Sequence, residues 1–161
     1  MASSSSPLPG RTLAIDYGSK RIGFAVSDEL GWTGEPLEVW TRRGKPADLD
    51  HIHALVVEHE ARRVLIGVPN RLDGTVGDAA LRALAFAEEV RARVAPVPVI
   101  TRDEALTTWA AKERMDARGI RPKDHKQWID AYAALIILEE ELAASAPPRP
   151  LARDDDDDDD V

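Results

Sequence analysis

Apolar positions along the chain follow two rhythms, and each predicts a different kind of element. Residues 12–17 (TLAIDY), 22–27 (IGFAVS) and about 36–41 (PLEVWT) are short β-forming runs separated by the turn-rich segments GSKR and DELGWTGE, which predicts three antiparallel strands. From Ala47 to Glu60, Leu49, Ile52, Leu55 and Val56 recur at three- and four-residue spacing, the period of an amphipathic helix. Residues 63–68, RVLIGV, are instead continuously apolar after Arg63 and stop at Pro69, as expected of a strand covered on both faces with parallel neighbours.

Four further elements complete the order βββαβαβαα. They are a helix from Thr75 bearing Leu81, Leu84, Ala85 and Val90, a strand at Val97–Thr101, a helix over about 105–117, and a last helix over about 126–144 that is apolar over much of its surface. Three antiparallel strands continued by parallel α/β units describe an α/β mixed sheet flanked by helices, the arrangement RNase H-like domains use.

Composition narrows this picture. At 161 residues and 43% hydrophobic content the chain suits one domain. The Ser/Pro-rich residues 1–10 and the segment 146–161, APPRPLARDDDDDDDV, are too polar to order themselves, so the domain is expected at 11–145. The opening MASSSSPLPG has neither the charged nor the apolar part of a leader, and no apolar run reaches the roughly 20 residues of a membrane span, so a cytoplasmic protein is expected. With no cysteine, any metal must be held by oxygen or imidazole nitrogen, which suits magnesium or manganese.

The net charge of -8 misleads, because seven of the 29 acids form the terminal run Asp154–Asp160, and the other 22 face 21 bases. Between Lys112 and Lys126, six bases (Lys112, Arg114, Arg118, Arg121, Lys123, Lys126) outnumber three acids, an excess that could meet phosphates or simply be a solvated surface.

Three acids stand out. Asp16 shares a strand face with the small residues Thr12 and Ala14; its bland reading is a strand-end Asp preparing the turn at Gly18. Glu104 follows a strand, and Thr101 to Glu104 also matches the S/T-x-x-E pattern of a helix capping box. Asp103 would be an N-cap or an acceptor behind Glu104. Asp130 lies on an apolar helix one turn from Ala133 and Ala134 and two turns from Ile137, where an acid is costly unless paired with an arginine or bound to a metal. Brought to one sheet edge, the three carboxylates would repel without cations. They could clamp two divalent ions about 4 Å apart, with Asp16 bridging and Glu104 and Asp130 on either side.

Four segments in order, LAIDYGSKRIGFAVSD at 13–28, LIGVPNRLDGTVGD at 65–78, VPVITRDEALTT at 97–108 and IDAYAALIIL at 129–138, resemble the YqgF or RuvX-like family. That family is described as nucleases of pre-16S rRNA and as homologues of Holliday junction resolvases. The resemblance implies an RNase H-like nuclease with Mg2+ or Mn2+, two ions in all, acting as a monomer or homodimer on nucleic acid. The family's D-x-G-x-K-R-I-G falls on Asp16, Gly18, Lys20, Arg21, Ile22 and Gly23, making Asp16 a ligand and Lys20 and Arg21 phosphate contacts. Its D-E-R-L-T-T falls on Asp103 to Thr108, making Glu104 a ligand, with Asp103 and Thr107 supporting it; Ala105 stands where the family has arginine, and Arg102 could substitute. In the G-L-P-x-N-x-D-G-T element, Asn70 comes one place early, and Thr75 could simply cap the next helix. D-x-x-A-A falls on Asp130, Ala133 and Ala134, the third ligand.

Cleavage of RNA, in maturation of the 5' end of pre-16S rRNA, is the first function implied; resolution of branched DNA is the second. A non-catalytic nucleic-acid module and an actin-like phosphate-loop enzyme are further alternatives, the last disfavoured because such enzymes need two RNase H-like halves. The histidines form no ligand cluster and read as surface residues; Trp32, Trp40, Trp109 and Trp128 could stack on bases or pack.

Overall fold

The computed structural model describes residues 10–70, 76–104 and 108–145. The expected disordered ends (apart from Gly10), the loop with Asp73 and Thr75, and Ala105, Leu106 and Thr107 lie outside the described residues. The elements run β1 (Arg11–Tyr17), β2 (Arg21–Ser27), β3 (Gly34–Thr41), α1 (Lys45–Glu58), β4 (Ala61–Pro69), α2 (Asp78–Val94), β5 (Val99–Glu104), α3 (Thr108–Ala117) and α4 (Pro122–Ser145). This is the order read from the hydrophobic pattern. The strands form one sheet, β3-β2-β1-β4-β5, antiparallel among the first three and parallel from β1 through β4 to β5. The continuously apolar strand is β4, between two parallel partners as expected.

Alternation along the strands sends side chains to two cores. Leu13, Ile15, Ile22, Phe24, Val64 and Ile66 meet Ile52 of α1 and Phe86 and Val90 of α2 on one face. Ala14, Ala25 and Leu65 meet Met115 of α3 and Leu135, Ile137 and Leu138 of α4 on the other. Fully burying each of the larger side chains contributes about 1.5–3 kcal/mol. The second face is the one with small strand residues, and there α4 can lie close.

Two expectations are corrected here. The buried stripe of α2 is Ala80, Ala83, Phe86, Ala87, Val90 and Val94, while Leu81 and Leu84 face solvent. The alanines permit close approach to the sheet and Phe86 stacks on Tyr17, which outweighs the greater hydrophobicity of the leucines. The capping box does not form either: Thr101 and Glu104 are both residues of strand β5.

Two glycines fix how near α4 comes. A Cβ on Gly23 would sit 1.9 Å from the Asp130 carbonyl oxygen, and one on Gly67 would sit 2.5 Å from Ile137 Cδ1. Helix backbone thus rests directly on β2 at Gly23, where no side chain could yield. Replacing Gly23 by alanine is expected to cost at least about 1–3 kcal/mol, read from the urea midpoint, because helix and strand must separate. An unchanged midpoint would mean that the contact is not tight.

Candidate active site

Asp16 is next to last in β1, pairs with Gly23 of β2, and follows the Ile15–Ile66 pair, which leaves it level with Gly67 of β4. Its floor is therefore glycine on both sides. Strand alternation puts its side chain with Ala14 on the α4 face, as the sequence pattern required. Burial, then the charge of Asp130, pushes its carboxyl up to about 7. Asp130 comes from the N-terminal half of α4, where its own backbone covers Gly23, so the contact that seats the helix also delivers the second carboxylate.

Asp130 is not left bare: Arg21, the first residue of β2, donates Nε to its Oδ2 at 2.7 Å. Both the arginine partner and the neighbouring acid weighed from the sequence are thus present together. The pairing raises the Arg21 guanidinium further above its usual range, mainly through the hydrogen bond to Asp130. Lys20 is exposed in the turn just before it.

Glu104 is placed differently. It ends β5, two strands from β1, on the α4 face with Arg102. Its carboxylate accepts from Arg102 Nε at 2.5 Å, while Arg102 also donates to Glu141 at 3.0 Å and lies 4.0 Å from Glu140. Glu104 too is pushed up to about 7, by burial and then by a hydrogen bond shared with Glu140, with Arg102 opposing. Glu140 is ten residues beyond Asp130, about 15 Å along the helix, so Glu104 is drawn to a different part of α4 from the Asp16–Asp130 pair. Among the described residues no three acids or histidines converge as a metal cage. Asp103 alternates to the opposite side of β5 and is exposed.

The basic segment is largely paired within the chain. Arg114 donates to Glu139 at 2.5 Å, Arg118 to Glu35 at 3.1 Å while lying over the Tyr132 ring, and Arg121 to Asp124. Lys112, Lys123 and Lys126 are exposed, and among the described residues no ion pair is seen for them. Trp32 and Trp109 are exposed, whereas Trp128 packs against the second core. Trp40 stacks on His51, which pairs with Glu38 and is half-buried, in contrast to the surface position expected of it.

Sequence reasoning missed two groups. One is the Arg102 cluster with Glu140 and Glu141, signalled only by a run of three glutamates on an apolar helix. The other surrounds Asp48, fully buried in the first turn of α1, which accepts from Trp40 Nε1 at 2.9 Å, Arg42 Nε at 3.0 Å and the Arg43 amide at 2.9 Å. Burial alone would raise its pKa, but the Arg43 amide, Trp40 and Arg42 together hold it below the usual carboxylate range.

A five-stranded sheet of this order, with two acids meeting where its glycine-floored centre receives the last helix, defines an RNase H-like domain. The chain belongs to the RuvX family, described as Holliday junction resolvase, whose model matches residues 10–144. It is a family of nucleases by that description and by its relatives' names. A protein of Halalkalibacterium halodurans named "Putative pre-16S rRNA nuclease" is 44% identical over 129 residues, 79% of this chain and 91% of that protein. A Streptomyces avermitilis protein of the same name is 41% identical over 128 residues, 80% and 82% of the two chains. The fowlpox virus resolvase, solved with Holliday junction DNA, shares the fold at a TM-score of 0.55 and 9% identity, over 83% of this chain and 97% of that one.

Folding and titration are linked at Asp16. The unfolded chain loses that proton near 3.8 and the folded chain near 7, so the stability contributed by the neutral carboxyl is full below 3.8 and is lost as pH rises through about 7. Without added metal, Asp16→Asn is expected to raise Tm over wild type at about pH 8 and to match it at about pH 4. Equal Tm values at both would show Asp16 to be unperturbed.

Proposed function

We propose that the protein is a divalent-metal-dependent nuclease that hydrolyses phosphodiester bonds of RNA, in maturation of the 5' end of pre-16S rRNA. The observation that carries this reading is the Asp16–Asp130 pair: two carboxylates held together on a glycine floor, one of them pushed up to about 7 by burial and its neighbour's charge. A hard cation would relieve that repulsion, and a donor set made only of oxygen fits magnesium or manganese. Asp16 and Asp130 would hold the ion. When bound, it would supply an activated water and charge stabilisation at the leaving oxygen.

Lys20 and Arg21 flank these carboxylates and are the cations best placed to bind substrate phosphates, with Lys123 and Lys126 exposed at the start of α4. Arg21, now paired with Asp130, would be able to bind a phosphate oxygen, while Asp130 would help to hold the metal. Glu104, which sits with Arg102 and Glu140, would become a third ligand only on leaving that contact, and Arg102 would then be the guanidinium that Ala105 does not provide. The relatives named as pre-16S rRNA nucleases, 44% identical in one case, support RNA over branched DNA. Resolvase activity, favoured by the family's description, is the second reading.

Both readings are tested by incubating the protein with manganese and either structured RNA or a four-way DNA junction. Asp16→Asn and Asp130→Asn are each expected to lower the rate at least about 100-fold. Variants as fast as wild type would remove this site, and faster cutting of the junction than of RNA would favour the resolvase.

A further inference from the structure

Arg42 makes contacts that no reading of the active site uses. Its backbone amide donates to the Lys20 carbonyl at 2.9 Å, and its Nη1 reaches the Gly18 carbonyl at 3.3 Å and the Ser19 carbonyl at 3.4 Å. One residue therefore gathers the three consecutive carbonyls of the β1–β2 turn. The guanidinium also lies 4.7 Å from the centre of the Tyr17 ring, the residue after Asp16, and Tyr17 in turn stacks on Phe86. Its aim is set from behind by Asp48, whose carboxylate is fully buried and whose other oxygen accepts from Trp40 and the Arg43 amide.

We propose that Arg42, held by Asp48, is a positioning residue that presents the Ser19–Lys20 turn to a substrate phosphate. In a planar trans peptide the carbonyl and the following N–H point opposite ways. With the Gly18 and Ser19 carbonyls turned to Arg42, the Ser19 and Lys20 amides face away from it, and Lys20 is exposed. The negative ends of these peptides are neutralised on the protein side and the positive ends are left for an anion. A turn of small and flexible residues would otherwise sample many orientations, and ordering it on binding would weaken affinity. Arg42 and Asp48 remove that loss in advance. A lysine at 42 could reach one carbonyl or Asp48 but not all of them, because its ammonium lacks the guanidinium fork.

The inference rests on the nucleic-acid reading above, and the test separates the two. Binding of a fluorescent single-stranded RNA by the full chain is measured with metal chelated, so that no cleavage occurs, for wild type, Lys20→Ala, Arg42→Met and their double variant. Arg42→Met is expected to raise Kd about tenfold and to flatten the salt dependence by about one phosphate contact. Lys20→Ala, which weakens wild type, should then add little in the Arg42→Met background. A role confined to stability would lower Tm but leave Kd, the salt slope and the independence of the two substitutions intact, which overturns the inference. If Arg42→Met does not fold, Arg42→Lys takes its place, with the same directions expected and the same overturning result. Wild type that fails to bind RNA at all removes the nucleic-acid reading and this inference together; wild type that binds, matched by the Arg42 variants, removes the inference alone.

Discussion

The contact between the α4 backbone and Gly23 is the constraint on which the rest of the site depends. With a side chain there, helix and sheet would stand apart by the thickness of a methyl group or more, and Asp130 would be carried away from Asp16. The whole face is adapted to the same end. Ala14 and Ala25 lie under α4, Gly67 receives Ile137, and Gly34 receives Leu138 at 2.7 Å from its hypothetical Cβ. Small residues in the strands and large ones on the helix interdigitate without a gap, and close packing of this kind resists the like-charge repulsion it creates.

Two carboxylates forced together in a partly buried place are unfavourable for folding alone. Two things offset the cost: Asp16 can keep a proton up to about 7, and Asp130 has Arg21. On the proposed reading Asp16 and Asp130 would hold a divalent cation, whose charge would offset their repulsion in place of the Asp16 proton and the Arg21 pairing. Arg21, half-exposed beside Asp130, would then be available to a substrate phosphate. Glu104 repeats the theme two strands away, with Arg102 as its counter-ion and Glu140 as the neighbour that raises its proton affinity.

Around this centre the charged groups divide by burial. Asp48 is wholly enclosed and hydrogen-bonded at both oxygens, which suits a fixed support for the β1–β2 turn. Arg114 and Arg118 lie over neighbouring acids and the Tyr132 ring, tying α3 to α4 and to β3. Lys20, Lys123 and Lys126 are exposed. A basic segment in sequence is therefore only partly a basic surface in space.

Much of the architecture was legible in the chain by itself. Alternation in TLAIDY and IGFAVS, the apolar run after Arg63 in RVLIGV, the helical spacing of the other segments and the apolar last helix gave the order of the five strands and four helices seen among the described residues, because side-chain period follows directly from backbone geometry. They also placed Asp16 on the small-residue face and marked Asp130 as an acid in need of a partner. What tertiary structure decided was which partner each group found. Leu81 and Leu84 lost the interface to alanines because distance from the sheet, not hydrophobicity, selected the buried stripe. Arg114 and Arg118 met Glu139 and Glu35, the latter 83 residues away in sequence. Glu104 turned to Arg102 and Glu140 while Asp16 and Asp130 closed on one another over Gly23. Periodicity is a local property and is written in the chain; proximity between charges depends on how a helix lies across a sheet, and here a missing Cβ sets that.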